Sequence, residues 1–332
     1  MAIYGGSLAD LFEREERASV WPFFALSPLL GPTLAPIASG WIAEYFGWRW
    51  VEWSTLIISS AIFVLAILFL PETLGPTILS WKARLLREET GNDKYKTERD
   101  EQGGPFDLLR SRLLRITSFI LTEPTTVLFE LYLTLLYVLV YGFLEGFQYI
   151  FTDTYDFSTG ERYSSFAAIA IGILVAIPYI LLIYHFASVR SKRNSTTISP
   201  EGRLLPSLFT SPLLPIALFW MGFTNRLDIS YWSNLSACFV LGFALMALFT
   251  SAYHYLLDAY GTNSSSALGA VTFVRYAVSG GVVIATNPLY EALTVRWMLT
   301  LLGGIAVLLA PVPWAFWRYG SKIREKSKWA ES

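Results

Sequence analysis

Cysteine is nearly absent from this chain: Cys238 is the single one in 332 residues. An internal disulfide and any cysteine-based metal centre are thereby excluded. Histidine is almost as scarce, with only His185 and His254, too few for a histidine-rich metal box. Charge is thin as well. Asp, Glu, Lys and Arg make up 15% of the chain, against about 25% in soluble domains. Their balance is −1 at pH 7, so no nucleic-acid partner is indicated. No GxSxG elbow and no GxxxxGK[ST] loop occurs, which argues against serine hydrolysis and an ATP-driven pump. No enzyme, cofactor or metal is expected. The opening MAIYGGSLADLFEREERAS has no basic-then-apolar order and no cleavage site, so no signal peptide is expected.

What the chain has in abundance is apolar sequence: 54% hydrophobic residues, 16% aromatic. Runs fit to cross a bilayer, which takes about 20 residues, occur near 20–43, 52–70, 125–151, 164–186, 205–224, 233–257, 264–288 and 296–317. The expected fold is an all-α polytopic membrane protein of about eight transmembrane helices. Trp41, Trp48, Trp50, Trp53, Trp232, Trp297 and Trp317 fall near run ends, as an aromatic belt predicts. Placing the N-terminus inside puts twenty of the 25 Lys and Arg on the cytoplasmic side, the exceptions being Arg49, Arg162, Arg226, Arg296 and Arg275. The positive-inside rule supports that orientation. The chain divides into a two-helix part (1–70), a cytoplasmic loop (71–124), a six-helix part (125–318) and a cytoplasmic tail (319–332). Thr90 to Gly104 reads as disordered. Asp107 to Thr122, with its leucines and Arg110, Arg112 and Arg115, suits an interfacial helix or a fold-back cytoplasmic one.

Three segments carry the functional signal. Ser27 to Gly40 places Pro28, Pro32 and Pro36 every fourth residue in an apolar run, hence on one face of a helix. Proline in a helix normally costs about 3 kcal/mol, and in a bilayer the lost bond is repaired only by neighbours or a cavity. A bent span is expected rather than a Pro-rich loop. On the 125–151 helix, Glu130, Thr134, Tyr137, Tyr141, Glu145 and Gln148 are spaced by threes and fours. At ~100° per residue they share an arc of about 80°. Lipid penalises such carboxyls, so a water-filled cavity or a polar interhelical contact is expected. In a cavity, a carboxyl would suit a proton carrier. The 264–288 helix matches it with Ser265, Thr272, Arg275, Ser279 and Thr286. Arg275 is expected to pair with Glu130 or Glu145, or to snorkel. His254 reads as an interfacial anchor. The sequons at Asn194, Asn234 and Asn263 are expected to stay unmodified.

Taken together, Gly31, Pro32, Pro36 and Gly40, Gly47-Trp48-Arg49-Trp50, Pro71-Glu72-Thr73, Pro200-Glu201 with Arg203-Leu204, and Asp258-Ala259-Tyr260-Gly261 through Arg275 resemble the twelve-spanner drug:proton antiporters of the major facilitator superfamily found in fungi. Ala35 and Ser39 stand where that family usually has glycine. The resemblance covers essentially the whole chain and implies a partial major facilitator fold holding helices five to twelve, the first four being absent. It implies proton-coupled efflux of small amphipathic organic compounds. Tyr137, Tyr141, Glu145 and Gln148 would contact substrate. Glu130 or Glu145 would carry the proton, with Arg275 as counter-ion, and Gly31, Pro32, Pro36 and Gly40 would form the antiporter motif. The implied partners are the bilayer, substrate and protons, with a second copy to complete the missing half. The implied location is the plasma membrane. The alternative is a non-transporting fragment or a membrane partner of a full-length transporter.

Overall fold

The computed structural model describes residues 17–92, 94–97, 114, 117–119, 123–193, 199–261, 264–325 and 327. The interfacial helix expected over 107–122 and the charged stretch before it lie for the most part outside these residues, as does the segment before Arg17.

The apolar runs become helices. Pro22, Pro28, Pro32 and Pro36 all lie inside α1 (Arg17–Phe46). The chain turns through Gly47, whose φ of 84° is open to glycine, and enters α2 (Trp48–Phe69). A short amphipathic helix, α3 (Gly75–Thr90), ends on the left-handed Gly91. Then come α4 (Pro124–Phe147), which runs through a π-helical turn at Gln148–Thr152, and the short α5 (Thr159–Ser164). They are followed by α6 (Phe166–Arg193), α7 (Leu205–Thr210), α8 (Leu213–Thr224) and α9 (Tyr231–Tyr260). The last elements are α10 (Ser264–Leu309) and α11 (Val312–Arg324).

Seven helical stretches among the described residues are long and apolar enough to cross a membrane. The last of them covers 59 residues, far more than one crossing needs. It breaks at Thr294, whose φ of 61° and ψ of 163° are not helical and are strained for a β-branched residue. The two arms fold back on one another. Thr286 and Leu302 line one small cavity against Gly142 of α4, although sixteen residues of straight helix would hold them ~24 Å apart. The arms are therefore separate helices, which makes eight candidate spans among the described residues, matching the eight apolar runs.

Helix α9 is the hub. It packs against α6, α8, α1 and α10, while α4 lies along α10. The α6–α9 seam is set by two glycines. A Cβ on Gly172 would run into the Phe239 carbonyl, and one on Gly242 into the Ile169 carbonyl. Small residues let membrane helices approach to backbone contact. At the other extreme, α2 buries none of its residues.

Candidate functional site

The polar stripe of α4 forms as the spacing predicts, but its members separate. Tyr137 and Tyr141 lie side by side, ring centroids 5.8 Å apart. Glu130 is buried, and its Oε2 has no hydrogen-bond partner. Glu145 is exposed. Gln148 begins the π-helical turn and donates from Nε2 to Asp153 Oδ1 at 3.0 Å.

Arg275 overturns the expected ion pair. Its side chain is fully buried, yet it makes none with Glu130 or Glu145. The guanidinium lies 3.7 Å from the centre of the Tyr137 ring and 4.9 Å from that of Tyr276. The rings of Tyr253 and Phe249 follow at 5.5 and 5.7 Å, and Nη1 donates to the Tyr253 hydroxyl. Depth explains the outcome. Tyr137 is seven residues along α4 from Glu130 and eight from Glu145, so the carboxyls stand ~10 and ~12 Å away along the axis. At the level of Arg275 the neighbours are rings, and aromatic faces attract a cation most strongly where water is excluded. Arg275 Nε and Nη2 keep no hydrogen-bond partner, so two donors remain for an acceptor brought into the cage. Snorkelling is excluded by the same burial.

Tyr137 also answers the question posed by the prolines. Pro32 has no N–H, so the carbonyl four residues earlier, on Pro28, loses its helical donor. The Tyr137 hydroxyl donates to that carbonyl at 3.3 Å. One side chain thus satisfies the defect in α1 with its hydroxyl and faces the buried cation with its ring. Farther along α1, Pro36 and Gly40 are buried, Pro32 is half-buried and Gly31 faces open space. Gly40 lies so close to the Tyr163 ring that a Cβ would stand 2.8 Å from it. Of the four motif residues, Gly40 therefore makes the tight contact.

A second polar cluster forms at the basic end of the bundle. Arg203 Nε pairs with Asp258 Oδ2 at 2.7 Å, with both side chains buried. The Tyr184 hydroxyl donates to the Arg203 carbonyl at 3.0 Å. Arg324 of α11 pairs with Glu201. Residues from four separate stretches of sequence meet here. His254 is not an interfacial anchor: it is buried, 6.1 Å from the Trp21 ring and edge-on to Tyr184 at 5.5 Å. Asn234 is also buried, its amide nitrogen donating to Tyr155 Oη and Asn225 Oδ1 at 3.2 and 2.9 Å.

Sequence reasoning missed Tyr253, Phe249 and Tyr276 as partners of Arg275. Tyr276, the next residue on α10, carries the one local signal, a ring beside a mid-span arginine. The Gly172–Gly242 seam was missed as well, since a single glycine in each helix leaves no repeat to read.

Fold and site together define a polytopic α-helical membrane protein with a buried, ring-enclosed cation beside a proline-rich span. A family model described as Major Facilitator Superfamily matches residues 1–285, and the chain belongs to that superfamily. It is 39% identical over 335 residues to the MFS-type transporter kojT of Aspergillus oryzae, covering 99% of this chain and 59% of that protein. An uncharacterized transporter of Schizosaccharomyces pombe, C530.02, is 39% identical over 98% of this chain and 61% of its own length. The ascochitine biosynthesis cluster MFS transporter of Didymella fabae is 33% identical over 99% of the chain and 64% of its own length. The chain thus spans about three fifths of the length of these curated relatives.

Proposed function

We propose that this chain is a proton-coupled exporter of small amphipathic organic compounds, secondary metabolites among them. In this reading its eight spans correspond to helices five to twelve of the major facilitator fold. The basic end faces the cytoplasm and the protein sits in the plasma membrane. The domain divisions at residues 70, 124 and 318 follow the same scheme.

The observation that carries the reading is the Arg275 cage. A buried cation with two unpartnered donors, walled by Tyr137 and Tyr276 with Tyr141 adjoining, offers hydrogen bonds and stacking to an aromatic or oxygen-bearing solute. Glu130, buried and with an unpartnered oxygen about two turns toward the basic end, supplies a carboxyl able to take up and release a proton. Substrate contacts fall to Tyr137 and Tyr141, with Glu145 and Gln148 nearer the opposite opening. Pro32 and Pro36 lie inside α1, where missing N–H groups weaken the helix and favour bending, and Gly40 gives it its contact with α5. Two relatives bear names that place them with transporters, one of them in a biosynthesis cluster, which suits export of a metabolite.

Proteoliposomes holding this chain alone test the proposal. Export of rhodamine 6G or fluorescein should follow an imposed pH gradient. Glu130→Gln should remove the gradient dependence, and Arg275→Ala should abolish flux. A second reading, a membrane partner with no transport of its own, is favoured by α2, which buries no residue. It expects no gradient-dependent flux from this chain alone, and flux restored only beside a full-length transporter.

A further inference from the structure

A groove of about 1020 Å³ opens at the end of the bundle away from the basic loops. Ligand sites run to roughly 300–1,000 Å³, so its volume suits a small organic molecule. None of its lining residues belongs to the Arg275 cage. The mouth carries the rings of Trp41, Tyr155, Tyr231 and Trp232 with two carboxylates, Asp156 and Glu161. The floor follows the α6–α9 seam down to Ile171 and Val240. From Trp232 to Val240 the groove descends eight residues of helix, ~12 Å. No Lys, Arg or His lines it. The nearby cations are engaged elsewhere: Arg162 lies over the Tyr163 ring at 4.5 Å, and Arg226 pairs with Asp228 at 2.9 Å.

The mouth is held in shape before any ligand arrives. Trp41 Nε1 donates to Ser164 Oγ at 2.8 Å, and its ring stacks on Tyr45. Tyr155 Oη accepts from Asn234 and donates to the Arg226 carbonyl at 3.3 Å. Asp156 ends its helical turn at φ 60°, in the left-handed region. Glu161 is fixed by a capping box, its Oε2 accepting from the Ser158 N–H at 2.9 Å. A preorganised site loses little freedom on binding.

We propose that this groove, where Asp156 and Glu161 stand among the rings of Trp41, Tyr155, Tyr231 and Trp232 above an apolar trough, binds an amphiphile with one cationic head and an alkyl tail. Aromatic faces and carboxylates both favour a substituted ammonium. An anionic head meets two like charges. A phosphocholine head sets its phosphate against the same carboxylates, so choline phospholipid is the poorer occupant. The site does not depend on the transport reading, and its occupant need not be exported.

The test uses the full chain in lipid nanodiscs, with empty nanodiscs subtracted and labelled decyltrimethylammonium as probe. Binding should be saturable, and decyl sulfate should not compete. The double variant Asp156→Asn, Glu161→Gln should weaken binding at least about ten-fold, each factor of ten being 1.4 kcal/mol. Both changes keep the local fold, because Asn tolerates the left-handed region and Gln serves in a capping box. Trp232→Leu, at a side chain that is 64% exposed, provides an independent variant without disturbing the core and should weaken binding several-fold. Non-saturable uptake, equal affinity for decylphosphocholine, or unchanged affinity in both variants would overturn the proposal.

Discussion

Tyr137 does two jobs that can be separated by substitution. Phe keeps the ring over Arg275 and removes the hydroxyl donated to the Pro28 carbonyl. Tyr137→Phe should therefore cost about 1 kcal/mol, the usual worth of one hydrogen bond. Tyr137→Leu also removes the face that shields the cation and should cost about 2 kcal/mol more. Reversible unfolding in bicelles reads both values. If the two variants are equally stable, the ring has no part in holding Arg275. The stripe to which Tyr137 belongs was legible because helical phase depends on spacing alone. Its meeting with Arg275 was not, since that requires the relative depth of α4, α9 and α10, which no single helix records. The expected carboxylate pair failed for the same reason: charge suggested a partner, and depth supplied rings.

At the scale of the element, α1 is the informative case. Pro28, Pro32 and Pro36 read from sequence as one face of a helix, and with Pro22 they lie within a continuous helix. The repair of the Pro28 carbonyl lay beyond reach, because the donor is 109 residues away in the chain. The repair predicts a coupling. Pro32→Ala returns an N–H to the Pro28 carbonyl and leaves the Tyr137 hydroxyl redundant there. In that background Tyr137→Phe should lose most of its cost, giving a double-mutant coupling of about 1 kcal/mol. Additive effects would show that the two sites are independent. The break in α10 was legible as a gap between two apolar runs, and Thr294 falls inside it. Thr294→Gly should raise stability by about 1 kcal/mol, because the left-handed conformation strains a β-branched residue and suits glycine. A drop in melting temperature would contradict this.

Among the described residues, the number and type of candidate span were legible, since hydropathy and length govern both. What stayed hidden is what joins the spans. Arg203 and Asp258, 55 residues apart, close a buried pair; both stand in recognisable motifs, but nothing in either stretch records that they meet. Asp258→Asn should destabilise the basic end by about 3–5 kcal/mol by removing the carboxylate charge from a buried ion pair, whereas replacing both partners with apolar residues should cost much less. Unfolding of the single and double variants by the same method separates the two cases. The seam between α6 and α9 has a mechanical consequence. With each backbone seated on the carbonyl of the other at Gly172 and Gly242, neither helix can slide by a residue without driving a carbonyl oxygen into an α-carbon. The two must travel as one beam, and under the proposed export function any rocking would fall on the looser borders around it. Spin labels placed across this seam should hold one distance with and without substrate and an imposed pH gradient, while labels from either helix to α4 should change theirs if the chain transports as proposed.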